Sequence, residues 1–140
     1  VEKATELGVV AVRFVSFARS ERSPGRGTRK RFLRVARAAV EQCGRSRLPE
    51  VTMDHELEEI EAWSGDHDET WWLDVHGDRP PRRAESSTRA LLLVGPEGGW
   101  EPEERRCFRE WDLPCVSLGS TTLRIETAAI TASALLLAAP

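Results

Sequence analysis

Among 140 residues there are only three cysteines, Cys43, Cys107 and Cys115, and no CxxC pair. An odd count without paired spacing argues against a disulfide framework and predicts a reduced cytoplasmic setting with buried or inert thiols. No apolar run approaches the roughly 20 residues that a membrane-spanning helix requires, and the opening VEKATELG has no signal-peptide character. His55, His67 and His76 lack the HxxxH spacing of a metal site, so they read as surface residues and no metal is expected. A GxSxG elbow is missing too, which removes the usual frame for Ser-His-Asp chemistry. There is no internal repeat and no low-complexity tract. What remains is 40% apolar and 31% charged, the composition of one globular domain with a single core.

The net charge of −3 at first disfavours a nucleic-acid partner. Its distribution does not. Eleven basic residues fall between Arg13 and Arg47, against Glu21 and Glu41 alone, whereas the stretch from Glu50 to Asp78 holds eleven acids and no Lys or Arg. Such segregation makes a dipolar molecule with one face able to hold phosphates. The competing reading is a pair of oppositely charged faces that attract each other.

Along the chain, VEKATEL before Gly8 reads as the end of a helix with a glycine C-cap, too short to nucleate alone. The expectation is therefore a chain that starts inside an element. VVAVRFVSF is β-branched and aromatic, as strands are. After the loop SERSPGRGT, Thr28 is expected to cap a helix with apolar positions Phe32, Val35, Ala36, Ala39, Val40 and Cys43, ended by Gly44. Its other face carries Lys30, Arg31, Arg34 and Arg37. A short strand in LPEVTM, an acidic helix in DHELEEIEAW capped by Asp54, and a strand in TWWLDVH follow. In that strand one of Trp71 and Trp72 is expected in the core. Beyond the surface loop GDRPPRRAESS come a strand at 90–94, a helix at 101–111, a strand at 114–118 and a last helix from Leu123 to Ala138. Strands alternating with helices predict an α/β fold, a mostly parallel sheet with helices on both faces. Ligands of such sheets bind beyond the carboxyl ends of the strands.

Two glycine loops fall at such ends: Gly95-Pro96-Glu97-Gly98-Gly99, and the LGSTTLRIETA stretch at 118–128. Glycine lets a ligand approach the backbone with no Cβ in the way. A phosphate cradle would want a lysine after Gly99, and Glu97 would repel an anion. A dinucleotide site would want GxGxxG early in the chain. A ligand that accepts a carboxylate and is recognised by backbone groups fits better, and S-adenosylmethionine, with its cationic sulfonium, is one. The plain alternative is a tight structural turn.

Five motifs then occur in register: EKATELGV at 2–9, RS at 19–20, EQCGR at 41–45 followed by Pro49, LLVGPEGGW at 92–100, and LGSTTLRIETA. In these the chain resembles the ribosomal RNA small-subunit methyltransferase E family over nearly its whole length. The resemblance implies a SPOUT α/β-knot with a C-terminal trefoil knot, a homodimer, and transfer of a methyl group from S-adenosylmethionine to N3 of a uridine in 16S rRNA. It implies cofactor loops at Leu93, Val94, Gly95, Pro96, Glu97, Gly98 and Gly99, at Leu118, Gly119 and Ser120, and at Thr122, Leu123, Arg124 and Thr127. It also implies that a PUA-like RNA-binding barrel and the first strand of the knot domain lie outside residues 1–140. The usual RILRAETA reads TTLRIETA here, with Thr122 and Ile125 as the departures.

Within that frame, Arg124 is the expected catalytic cation and Glu126 or Glu97 the carboxylates that assist deprotonation, with a loop-fixing role as the alternative for Glu126. Arg19 and Arg45 are expected to orient the nucleotide, and Arg19, Arg22, Arg34, Arg37 and Arg45 to contact RNA. Glu6 and Gln42 are weaker candidates to line the site. A tRNA substrate and a non-catalytic RNA-binding module are the rival readings.

Overall fold

The computed structural model describes residues 1–20, 27–78 and 80–138. Helix α1 (Glu2–Leu7) closes at Gly8, whose φ of 105° is the left-handed cap that its sequence predicts. Strand β1 (Ala11–Val15) leads to helix α2 (Thr28–Cys43), which Gly44 ends at φ 74°. Thr28 does not cap it. It is already the first helical residue, Gly27 holds the cap position, and no side chain caps the end.

Strand β2 (Glu50–His55) pairs with β1 in parallel. Between Arg13↔Thr52 and Val15↔His55 the register slips, because β2 advances one residue more than β1. Asp54 sits in this bulge at φ 63°, a conformation that Asp tolerates better than most residues. The expected cap is thus part of the strand, and helix α3 (Glu59–Gly65) starts later, with Glu58 at its cap. Glu59 anchors the intervening turn: its carboxylate accepts the Glu56 N–H and meets His55 Nδ1.

Strand β3 (Glu69–Leu73) is flanked by β4 (Ala90–Leu93) and β5 (Cys115–Val116) in a second sheet of order β4-β3-β5. Helices α4 (Pro102–Glu110) and α5 (Ile125–Leu137) follow β4 and β5. All strand pairs are parallel, as expected, though they form two hydrogen-bonded sheets and not one. Because side chains alternate along a strand, β3 feeds two core clusters. Trp72 packs with Ile60, Leu93, Trp100, Phe108 and Leu113, while Trp71 and Leu73 pack with Val116, Ala132 and Leu136. Both tryptophans are therefore buried, at 7% and 2% exposure, where one was expected. The indole N–H of Trp72 donates to Leu113 O at 2.9 Å, and that of Trp100 to Leu73 O at 2.7 Å, so neither ring is buried with an unmet donor.

Among the described residues no helix is long and apolar enough to cross a membrane. Cys43 is exposed, and Cys107 and Cys115 are half-buried, so of the expected buried or inert thiols Cys43 is not a buried one. His76 is exposed, as expected, but His55 and His67 are half-buried, held by Thr52 and Glu59 and by Trp63 O respectively.

Candidate active-site cleft

Three loops leave the carboxyl ends of β3, β4 and β5, and between them lies a cleft of about 660 Å³. The loop after β3 brings Asp74 and Val75, the loop after β4 brings Val94 to Trp100, and the loop after β5 with the first turn of α5 brings Ser117 to Glu126 except Ser120. The two glycine loops thus meet at one site.

Local chemistry shapes each wall. Ser117, buried, donates its hydroxyl to Gly119 O at 2.9 Å and accepts the Gly119 N–H at 3.2 Å, folding the β5 loop back on itself. Gly119 (φ 144°) and Gly99 (φ 71°) adopt conformations that L side chains rarely adopt, and both face open space. A ligand can come close to the main chain at these two points. Gly95 and Gly77 are small for the protein's own sake. A Cβ on Gly95 would lie 2.9 Å from the Trp100 ring, and one on Gly77 only 2.3 Å from the backbone of Val116.

Asp74 and Arg105 form an ion pair in the lining, with the Asp74 side chain 4% exposed. The second Asp74 oxygen accepts the His76 N–H at 3.0 Å. Behind this wall, burial and the nearby Asp74 carboxylate push the Cys115 thiol up to about 11, so it stays protonated and is no nucleophile. No group of three or more His, Cys, Asp or Glu among the described residues is arranged to hold a metal.

Of the expected cofactor residues, Val94, Gly95, Pro96, Glu97, Gly98, Gly99, Leu118, Gly119, Thr122, Leu123 and Arg124 line the cleft. Leu93 lies beneath it in the core, and Ser120 and Thr127 are exposed outside the lining. Arg124 and Glu126 both line it, at the N-terminus of α5, where Arg124 is the cap residue. Arg124 has no carboxylate partner among the described residues, so its guanidinium is not spent on holding the loop. Arg45 is elsewhere: its Nη1 donates to Thr5 O at 2.7 Å and to Val9 O at 3.0 Å, tying down the end of α1. Glu6 pairs with Lys3, Gln42 is exposed on α2, and neither lines the cleft. Arg34 and Arg37 are exposed on α2, and Arg22 lies outside the described residues.

Sequence reasoning missed Asp74, Arg105, Ser117 and Thr121. The first two are far apart in sequence and belong to no glycine motif. Ser117 was hidden inside an expected strand.

Comparison with known proteins agrees with this geometry. The RNA methyltransferase domain family matches residues 1–137. The ribosomal RNA small subunit methyltransferase E of Bacillus subtilis is 29% identical over 146 residues, covering 91% of this chain and 55% of its own length. Its Helicobacter pylori counterpart is 27% identical, covering 89% and 54%. The chain therefore spans about half the length of these relatives. Among solved structures, a Legionella pneumophila methyltransferase with the bound cofactor S-adenosylmethionine superposes with TM-score 0.83 at 28% identity, over 98% of this chain and 58% of that one. A Neisseria gonorrhoeae ribosomal RNA small subunit methyltransferase E bound to S-adenosylmethionine gives TM-score 0.78 at 30% identity, over 95% and 56%. With a cleft at the strand ends, both glycine loops in it and a family match over 137 residues, this chain belongs to the RNA methyltransferase domain family, in the group of the small-subunit methyltransferases E.

Proposed function

We propose that this chain is the S-adenosylmethionine-binding, catalytic part of a 16S rRNA methyltransferase that acts on uracil N3. The observation that carries the reading is the convergence of the two glycine loops on one cleft. Two structures that superpose on nearly the whole chain hold S-adenosylmethionine. The residues present suit that molecule. Backbone faces open space at Gly99 and Gly119, and Glu97 offers a carboxylate to a cationic ligand. The loops from Val94 to Gly99 and from Leu118 to Arg124 would hold it, and when bound it supplies an electrophilic methyl group.

This chain's own residues have the remaining work. Uracil N3–H is a weak acid, and as its proton leaves, negative charge spreads to O2 and O4. Arg124 can place a planar, permanently charged guanidinium on a ring carbonyl, and the α5 N-terminus adds to the positive potential there. That contact strengthens as charge develops, so it favours the transition state over the ground state. Glu97 and Glu126 line the same cleft, which supports the reading that one of them takes the proton.

The direct test is methyl transfer from labelled S-adenosylmethionine to small ribosomal subunits, with the modified base identified by mass spectrometry. Arg124→Ala should lower transfer by roughly 10²-fold, the scale for losing one charge-stabilising donor, while cofactor affinity stays within a few-fold. Arg124→Lys should recover little, since a point charge cannot reproduce the fork. Cofactor binding and thermal stability lost together with activity in Arg124→Ala would instead make Arg124 a loop-holding residue. Transfer to tRNA and not to the subunit would overturn the substrate.

A further inference from the structure

Arg19 is expected from the sequence to contact RNA, and in the structure its exposed side chain lies on the loop that follows β4. Nη1 donates to Gly98 O at 3.1 Å, and Nε meets Glu101 Oε1 at 2.5 Å. One residue earlier, the Ala18 N–H donates to Glu104 Oε1 at 2.9 Å. These contacts join segments 79 to 86 residues apart in sequence. Glu104 is 4% exposed, and its other oxygen accepts the Glu101 N–H in the capping box of α4. The post-β1 segment and the start of α4 thus grip the same loop from two sides.

Gly98 supports the same conclusion. A Cβ there would lie 2.8 Å from Arg19 Cβ and 3.3 Å from Arg19 Cδ. Its φ is not in the left-handed region, so no backbone demand explains the glycine. The side chain is missing because Arg19 lies across that position.

From this the geometry points to Arg19 as a positioning residue that holds the 95–101 loop in its ligand-ready shape and so sets the affinity of the cleft for S-adenosylmethionine. The inference rests on the reading of the cleft given above. Glu97, Gly98 and Gly99 all line that cleft, and a loop already fixed in its bound form loses less conformational entropy when a ligand arrives. The Arg19 side chain is 47% exposed, so its ion pair adds little to global stability and its effect is local.

The test uses the wild-type chain, Arg19→Ala, Arg19→Lys and Gly98→Ala. Amide hydrogen exchange without ligand reads the loop itself, calorimetry with S-adenosylmethionine reads the cleft, and thermal melting reads the whole chain. Arg19→Ala should speed exchange at residues 97–100 but not in β4. It should also weaken binding by roughly tenfold, the scale for one charge-assisted hydrogen bond, with an unchanged melting temperature. Lysine can reach Gly98 O or Glu101 but not both, so Arg19→Lys should restore part of the protection. Gly98→Ala should mimic Arg19→Ala, because its methyl group would push against Arg19 Cβ, 2.8 Å away, and displace the guanidinium from the loop. Unchanged exchange in Arg19→Ala would overturn the clamp. Weakened rRNA binding at unchanged cofactor affinity would return Arg19 to the phosphate contact expected from sequence. A wild-type chain that does not bind S-adenosylmethionine would refute the cofactor reading and the affinity claim together, while the exchange pattern still decides whether Arg19 grips the loop.

Discussion

Glycines that look alike in the sequence answer to different physical demands, and this is where the residue scale of the site was only partly legible. GPEGG and LGS read as ligand-approach loops, and the structure brings both to one cleft. They did not reveal which glycine serves a ligand and which serves a neighbour. Gly99 and Gly119 face open space, whereas Gly95, Gly98 and Gly77 are pressed against Trp100, Arg19 and Val116. Stability should sort them. Gly95→Ala should cost about 1–3 kcal/mol, the range for overpacking, because the buried Trp100 ring is fixed by its hydrogen bond to Leu73 O. Gly77→Ala should cost more, since its Cβ would meet main-chain atoms that have no rotamer to change. Gly99→Ala should cost about 1 kcal/mol, the price of a left-handed backbone alone. Chemical denaturation of the three variants gives the order, and a Gly77→Ala no worse than Gly99→Ala would contradict the backbone contact.

At the scale of elements, composition, caps and periodicity located the helices and strands of the described residues, and the errors lie at their ends and in the division into two sheets. Thr28 and Asp54 were assigned as caps from residue type, but a cap depends on the backbone of its own residue. Asp54 had a stronger use in the β2 bulge, which no local pattern announces. Helix α2 shows what patterning reads well: Ala36 and Ala39 are buried, and Lys30, Arg31, Arg34 and Arg37 are exposed. None of these four cations pairs with a carboxylate of α3 among the described residues, so the attraction between oppositely charged faces is not what occupies them. If α2 instead meets rRNA phosphates, binding should fall steeply with salt. Neutralising Arg34 and Arg37 should flatten the slope of log affinity against log salt by roughly one to two units. Filter binding across a salt series measures it, and an unchanged slope removes α2 from the interface.

For the whole molecule, α5 presents two apolar aspects. Ala132 and Leu136 face the sheet, while Ile130, Leu135 and Leu137 remain 37–43% exposed. One sheet face does not account for both, and exposed apolar surface of this kind commonly marks an interface. The expected partner is a second copy of this chain, as the resemblance implies. Sedimentation should show a dimer at micromolar concentration, and Leu135→Lys with Ile130→Lys should shift it to monomer without loss of helix content. A wild-type monomer would leave that surface to some other contact.

The contact between Gly77 and Val116 also bears on the order in which the chain assembles. Strand β5 has two residues, pairs only with β3 among the described residues, and abuts the loop that leaves β3 at Gly77. It cannot dock until β3 and that loop are in place, and it closes a separation of some 40 residues, the kind of non-local contact that slows folding. The walls from Ser117 to Glu126 take their position from β5. A chain that has formed β1 to β4 without docking β5 therefore lacks the Ser117–Glu126 wall of the cleft.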